Sequence, residues 1–224
     1  MAGVAVITVD GPSGSGKGTL AQRIAESLGW HFLDSGAIYR VLGLMVERAG
    51  ISGENIDKIS EMAANMPLVF DQGKVLLDGE DVSDLIRTET IGNQASKVAA
   101  IPQVRQVLLA WQRNYAKAPG LVADGRDMGT VVFPQAEVKI FLTASAEERA
   151  KRRYKQLKEK GFGVNLARLT DEIRERDERD SKRAVAPLVA SNSAYQLDST
   201  SMTIDEVYQQ AMQKIRASLA ELHP

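Results

Sequence analysis

The chain has 224 residues, enough for one domain with an insertion or for two small domains. Hydrophobic residues make up 44% and charged residues 25%, the balance of an ordinary globular protein and not of a disordered one. A formal net charge of −1 gives no basic field for a nucleic-acid polymer, and the lack of cysteine excludes disulfides and thiolate metal sites and fits a reducing, cytoplasmic setting.

The first element is an apolar, β-branched run, Val4–Val9, closed by Asp10. No basic stretch precedes it and a carboxylate cuts it short, so a core strand is expected and a signal peptide is not. No apolar run approaches the length of a membrane span, and no membrane partner is expected. The strand opens on Gly11-Pro12-Ser13-Gly14-Ser15-Gly16-Lys17-Gly18-Thr19, and a helical pattern starts near Gly18. This is the strand–loop–helix context of a phosphate-binding loop. Its glycines let backbone N–H groups turn inward, and the helix start adds unpaired amides and the positive end of a dipole. Lys17 supplies a full charge for the β- and γ-phosphates of a nucleoside triphosphate. Pattern and context agree independently, against a glycine-rich turn that merely holds a lysine. The general pattern places Ser or Thr directly after the lysine, to hold magnesium. Here Gly18 intervenes, so Thr19, Ser13 and Ser15 are all candidates to approach Mg2+. This form of the loop resembles that of nucleoside monophosphate kinases.

Further strands are expected at Trp30–Leu33, Leu121–Ala123, Val138–Leu142 and, more weakly, Ala194–Leu197. Helical patterns separate them, which predicts an α/β fold: a parallel five-stranded sheet with helices on both faces. Ser145 with Glu148, and Thr203 with Glu206, read as capping boxes that open helices. The last helix, to about Leu222, is expected to bury Ile204, Val207, Ala211 and Ile215. The middle of the chain breaks the rhythm. Leu68–Asp71, a Gln72-Gly73 turn, Lys74–Leu77, an Asp78-Gly79 turn and Glu80–Val82 predict an antiparallel meander. Helices over Glu89–Ala100 and Pro102–Ala118 follow, with Pro102 in a first turn. Residues 40–118 are therefore expected to form a substrate-side insertion in a core of residues 1–39 and 119–224.

In an open parallel sheet, ligands sit beyond the carboxyl ends of the strands. Strand two ends in Asp34-Ser35-Gly36-Ala37-Ile38-Tyr39-Arg40, and strand three in Ala123-Asp124-Gly125-Arg126-Asp127-Met128-Gly129. Arg126 and Asp127 set a phosphate donor beside an acceptor, although a salt-bridged turn would look the same. In Arg176-Asp177-Glu178-Arg179-Asp180-Ser181-Lys182-Arg183, residues 176, 180 and 183 fall at i, i+4 and i+7. On one helix they would share a face, two guanidiniums flanking a carboxylate, as suits phosphates on either side of a sugar hydroxyl; a solvated helix face is the plainer use of such a run. Arg149 and Arg153 are likewise one turn apart, and Lys160-Gly161-Phe162-Gly163 beyond them predicts a mobile lid over about residues 150–165. His31 is expected to be a packed strand residue, with His223 at the terminus, and Trp30 and Trp111 are expected to be core. Nothing in the sequence suggests covalent catalysis, which phosphoryl transfer does not require.

Together these motifs resemble the bacterial cytidylate kinases over essentially the whole chain. The resemblance rests on the 11–19 loop, Leu33–Arg40, Asp124-Gly125-Arg126-Asp127-Met128-Gly129-Thr130 and Arg183-Ala184-Val185-Ala186-Pro187-Leu188, and the meander-bearing insertion is similar too. It implies transfer of the γ-phosphoryl group of ATP, with Mg2+, to CMP or dCMP by a cytoplasmic monomer. Gly11, Pro12, Ser13, Gly14, Ser15, Gly16, Lys17, Gly18 and Thr19, with Arg149 and Arg153, would bind ATP, Thr19 or Ser15 approaching the metal. Arg40, Arg126 and Arg183 would bind the acceptor phosphate. Ser35 and Asp180 would hold the sugar side, Arg176 would border it, and Tyr39 would pack alongside. Ser96, Arg105 and Asp127 would read the base. Lys17, Asp34, Arg126 and Arg183 would act at the transfer itself. A UMP or AMP kinase is the nearer rival. A GTP-binding switch is the distant one, because Asp-x-x-Gly after the loop and Asn-Lys-x-Asp are both missing.

Overall fold

The computed structural model describes residues 4–222 apart from 72, 160 and 162. The Gln72 half of one expected turn, Lys160 and Phe162 of the expected lid loop, and His223 lie outside the described residues. In chain order the elements are β1 (Val6–Asp10), α1 (Lys17–Leu28), β2 (His31–Asp34), α2 (Ser35–Arg48), α3 (Ile56–Ala64), β3 (Leu68–Asp71), β4 (Lys74–Leu77), β5 (Glu80–Asp81), α4 (Glu89–Val98), α5 (Pro102–Arg113), β6 (Leu121–Gly125), β7 (Val138–Thr143), α6 (Ala146–Glu159), α7 (Leu166–Ser181), β8 (Tyr195–Asp198) and α8 (Ile204–Leu222). A 3-10 turn at Leu85–Arg87 precedes α4, and a π-helical turn at Met128–Val132 follows β6. No helix among the described residues is long and apolar enough to cross a membrane.

The chain forms two compact units, residues 1–33 with 115–224, and residues 34–114. The first is built on a parallel five-stranded sheet of order β2-β6-β1-β7-β8. β1 runs parallel to β6 with Val6 opposite Leu121, and parallel to β7 with Ile7 opposite Val138. Every residue of β1 and β6 is buried. Successive side chains of a strand point to opposite faces, so burial without alternation means that both faces are covered. Ile7, Val9, Leu20, Ile24, Val122, Ile140 and Leu142, with Val207, Ala211 and Ile215 from α8, make up the core. Each buried Val, Leu or Ile among them contributes roughly 1.5–3 kcal/mol through burial.

Several local expectations change. His31 is exposed, because β2 is an edge strand; its Nε2 meets the Ala118 carbonyl at 3.0 Å. Ile204 is 40% exposed at the first position of α8, leaving Val207, Ala211, Met212 and Ile215 to pack inward. The helix begun at Pro102 ends at Arg113, with Asn114 as its cap, and does not run to Ala118. The capping box of Thr203 and Glu206 forms with both bonds, whereas at Ser145 half of the box does: the Glu148 N–H donates to Ser145 Oγ, but the Ser145 N–H donates to Thr200 Oγ1. Trp30 and Trp111 are half-buried, Trp30 against the core and Trp111 edge-tilted to Phe70 at 6.1 Å.

The second unit holds the antiparallel meander β3-β4-β5 and four helices, of which α2 packs on α4 and α3 on α5. The α2–α4 contact is close: a Cβ added at Gly43 would lie 3.0 Å from the Ala95 nitrogen. A β-branched side chain there must part the two helices. Gly43→Val is therefore expected to cost about 1–3 kcal/mol by overpacking. Urea unfolding should show a lower midpoint for Gly43→Val, whereas Gly53→Ala, into open space, should stay within about 0.5 kcal/mol of wild type.

Candidate active site

The loop between β1 and α1 crosses the carboxyl end of β7 so closely that a Cβ on Gly11 would lie 2.1 Å from the Leu142 carbonyl oxygen. Gly16 enters α1 in the left-handed region (φ 93°), and no side chain caps the helix. The first amides of α1 are thus left for a ligand. The Lys17 ammonium donates to the Pro12 carbonyl at 3.2 Å and lies 3.9 Å from Asp124 Oδ1. Ser15 Oγ is buried in the loop and has no hydrogen-bond partner, whereas Thr19 is exposed.

The carbonyls of the same loop are held from outside. Arg149 Nη1 donates to the Ser13 oxygen at 2.9 Å, and Arg152 Nη1 to the Ser15 oxygen at 3.4 Å. Arg149 is 4% exposed, donates through Nε to Ala144 O, and forms a two-pronged pair with Asp177. The guanidinium expected to face a nucleotide thus has protein partners at all three of its nitrogens. Arg153, its expected companion, lies half-buried one turn further along α6.

Two carboxylates stand at neighbouring strand ends. Asp10 is buried and accepts the N–H groups of Met128 and Gly129, each at 2.8 Å. It thereby fastens the segment that carries Arg126 and Asp127. Burial pushes its carboxyl up to about 6, against the opposing pull of those two amides. Asp124, at the end of β6, stands in the space left by Gly18: a Cβ there would lie 3.0 Å from Asp124 Oδ2.

The third feature is a guanidinium cluster around Asp180, which is 1% exposed. Arg126 Nε donates to Asp180 Oδ2 at 3.0 Å, and Arg183 Nη2 donates to Oδ1. Burial alone would raise this carboxyl, but Arg126, Arg183 and Arg176 outweigh it and hold it at about 2. The expected shared helix face is corrected in one respect. α7 ends at Ser181 with Lys182 as its cap, so Arg183 returns to Asp180 from beyond the helix. The Leu188 N–H donates to the Asp180 carbonyl at 2.9 Å and closes that return.

Within the second unit, Asp34 Oδ1 caps α2 by accepting from the Ala37 N–H at 2.9 Å, so one oxygen of this expected catalytic carboxylate has a structural use. Ser35 and Tyr39 are buried on α2, and the Arg105 guanidinium lies 5.7 Å from the centre of the Tyr39 ring. Arg105 Nη1 also donates to Ala99 O at 3.3 Å. Arg40 donates to the carbonyls of Ile86 and Thr88 at 2.6 and 3.3 Å. Ser96 is buried on α4. The sequence reading assigned no role to Asp10, Asp124, Arg152, Asp177 or Ser199. Its available signal was position: Asp10, Asp124 and Ser199 each lie at or just past the carboxyl end of a sheet strand.

A parallel sheet of this order, with a glycine loop and a lysine beyond its first strand, defines a phosphate-binding-loop α/β fold of the kind that handles nucleotides. The chain belongs to the cytidylate kinase family, whose family model matches residues 7–217. It is 63% identical over 206 residues to the cytidylate kinase of Aeromonas salmonicida (strain A449), covering 90% of each chain. It is 57% identical over 220 residues to that of Edwardsiella ictaluri (strain 93-146), covering 96% of this chain and 98% of the other. Among solved structures, shikimate kinase from Acinetobacter baumannii in complex with shikimate aligns with a TM-score of 0.48 at 18% identity, over 96% of this chain and 94% of that one.

The Asp180 cluster generates a pH dependence. Its carboxyl titrates at about 2 in the folded protein and near 3.8 otherwise, so it contributes stability above pH 4 that is lost as the pH falls towards 2. That contribution is about 2 kcal/mol at neutral pH by linkage. Asp180→Asn should be clearly less stable than wild type at pH 7. The gap in urea unfolding free energy should narrow between pH 4 and pH 2; a gap independent of pH would show that the carboxylate charge is not what the cluster uses.

Proposed function

We propose that this chain transfers the γ-phosphoryl group of ATP to CMP or dCMP, giving ADP and CDP or dCDP by direct in-line displacement. The observation that carries the reading is the placement of two phosphate-binding devices in one unit. The 11–19 loop with Lys17 suits a triphosphate, and the Arg126–Asp180–Arg183 cluster suits a second, monoester phosphate. A single nucleotide-binding switch would not need the second. Family membership narrows the acceptor to a cytidine monophosphate.

The inward amides and Lys17 would take the charge of the donor phosphates, and Lys17 would meet the charge that builds on the group in transit. Arg126 and Arg183 would orient the acceptor phosphate, each held by Asp180 so that little side-chain freedom is lost on binding. Arg40, and Arg176 on α7, would add charge on that side. An acceptor phosphate oxygen is already anionic at neutral pH, so the protein needs no general base. Ser35 would hold the sugar side, with Tyr39 alongside. Ser96, Arg105 and Asp127 would read cytosine: arginine donates to O2 and N3, while hydroxyl and carboxylate accept from the exocyclic amine. Uracil reverses the N3 and C4 pattern and leaves buried groups unpaired, at about 1–3 kcal/mol each.

The donor set also fits Mg2+. The partnerless, buried Ser15 Oγ and the Asp124 carboxylate beside Gly18 are hard oxygen groups at the loop, and Thr19 is exposed on α1. When bound with the nucleotide, the ion would neutralise phosphate charge. We further place the protein in the cytoplasm as a monomer, in keeping with its lack of cysteine.

Steady-state assays with CMP, dCMP, UMP and AMP as acceptors test the assignment, and a preferred acceptor other than a cytidine nucleotide overturns it. Lys17→Ala should lower turnover by at least ~100-fold while the circular dichroism spectrum is kept. Near-normal turnover in the folded variant would remove Lys17 from the chemistry.

For the base, wild-type kcat/KM should favour CMP over UMP by at least ~100-fold, the size of two mismatched hydrogen bonds. Ser96→Ala should lower kcat/KM for CMP more than for UMP. Equal losses for both would make Ser96 structural.

A further inference from the structure

A trans peptide is planar, so its C=O and the next N–H point in opposite directions. Fixing a loop carbonyl outward therefore fixes the following amide inward. The Ser15 carbonyl belongs to the peptide that supplies the N–H of Gly16, the last amide before Lys17. Two side chains reach it from outside the loop: Arg152 Nη1 at 3.4 Å and Ser199 Oγ at 3.3 Å. Ser199 is 2% exposed in the turn after β8, and its N–H donates to Thr143 O at 2.8 Å. Its hydroxyl proton is shared between Thr143 O at 3.0 Å and Ser15 O, while Arg152 donates to Ser199 Oγ at 3.3 Å and, through Nη2, to Ser199 O at 2.6 Å. Glu148 sits 3.4 Å from Arg152 Nε and steadies the fork.

We propose that Ser199 and Arg152 are positioning residues for ATP, which orient the Ser15–Gly16 peptide by jointly holding the Ser15 carbonyl so that the Gly16 N–H faces the phosphates. This deepens, and rests on, the reading of the 11–19 loop as the ATP site. Charge and geometry act together here. A guanidinium on the carbonyl polarises the peptide and makes its N–H a stronger donor, as in any hydrogen-bonded chain. Ser199 meets the loop from the turn after the edge strand β8 and Arg152 from α6, so the carbonyl is fixed along two directions. Ser199 is buried with its hydroxyl spent on two carbonyls, which leaves an indirect route to the nucleotide.

The test is isothermal titration of the full chain with a non-hydrolysable ATP analogue plus Mg2+, and separately with CMP. Ser199→Ala, Arg152→Gln and the double variant are compared with wild type. Ser199→Ala should weaken analogue binding by ~10-fold, the effect of about one hydrogen bond, and leave CMP binding within about 2-fold. In assays the KM for ATP should rise while that for CMP does not. Because both residues act on one carbonyl, the double variant should lose less than the product of the two single losses. Equal losses for the analogue and CMP, unchanged analogue affinity, or multiplicative losses would overturn the proposal. Should Ser199→Ala fail to fold, Arg152→Gln, at a half-exposed position, decides by the same ratio. Failure of the wild-type chain to bind the analogue at all would instead overturn the ATP-site reading itself.

Discussion

A loop that turns its N–H groups inward must turn its carbonyls outward, and a buried carbonyl needs a donor. Much of this protein's first unit is arranged around that constraint. The Pro12 oxygen takes Lys17, Ser13 takes Arg149, and Ser15 takes Arg152 and Ser199. These donors come from α1, which the loop opens, and from α6 and the turn after β8, so two segments distant in sequence join the adjoining helix on three loop carbonyls. Three of the four are cationic. They satisfy the carbonyls of the loop and also raise the positive potential around it.

Cations gathered in this way need carboxylates, and the two most perturbed acids show how environment separates one residue type into two behaviours. Asp10 is surrounded by backbone and apolar strand; its partners are two amides, and burial dominates. Asp180 is fully as buried, but three arginines override that penalty. At neutral pH Asp180 is firmly ionised, and its constant charge is what lets Arg126 and Arg183 stay folded inward without repelling one another. A buried ion pair is a weak source of net stability, yet removing one partner is costly. The cluster thus holds guanidiniums in register as well as tying stability to the Asp180 charge.

The sheet was legible because its strands are short, apolar and spaced by helical patterns, and the glycine loop because steric need restricts its residue types. The meander was legible from its turn residues. Other features were hidden for physical reasons. The end of α7 at Ser181 is not marked by glycine or proline, so the charged run reads on as helix through Arg183. His31 sits in an apolar run, but only the strand order reveals that β2 is an edge. Arg149 and Arg153 stood out by their one-turn spacing, and Arg149 does reach the loop at Ser13, but Arg152, which that spacing passes over, reaches it at Ser15 and holds Ser199 as well. Side-chain direction, not spacing alone, decides such contacts. Asp10 ended a strand in the sequence; that it also staples the Met128–Gly129 segment depends on β1 and β6 being neighbours, a long-range fact that no local pattern carries.

The hairpin of α6 and α7 shows how far such constraints reach. Arg149 binds the Ser13 carbonyl and Asp177 at once, so a single buried side chain ties the loop to the helix that carries Arg176 and Asp180. Pulling α7 away at this level would strand the Arg149 guanidinium, 4% exposed, without its carboxylate. The exposed Arg174–Glu147 pair joins the same two helices at the first turn of α6, and a pair of that kind is worth only fractions of a kcal/mol, so the buried Arg149 carries the attachment. A motion of the hairpin that keeps the loop intact must therefore hinge beyond the Arg149–Asp177 contact. The base of the α6–α7 hairpin thus belongs mechanically to the loop between β1 and α1, through one buried guanidinium.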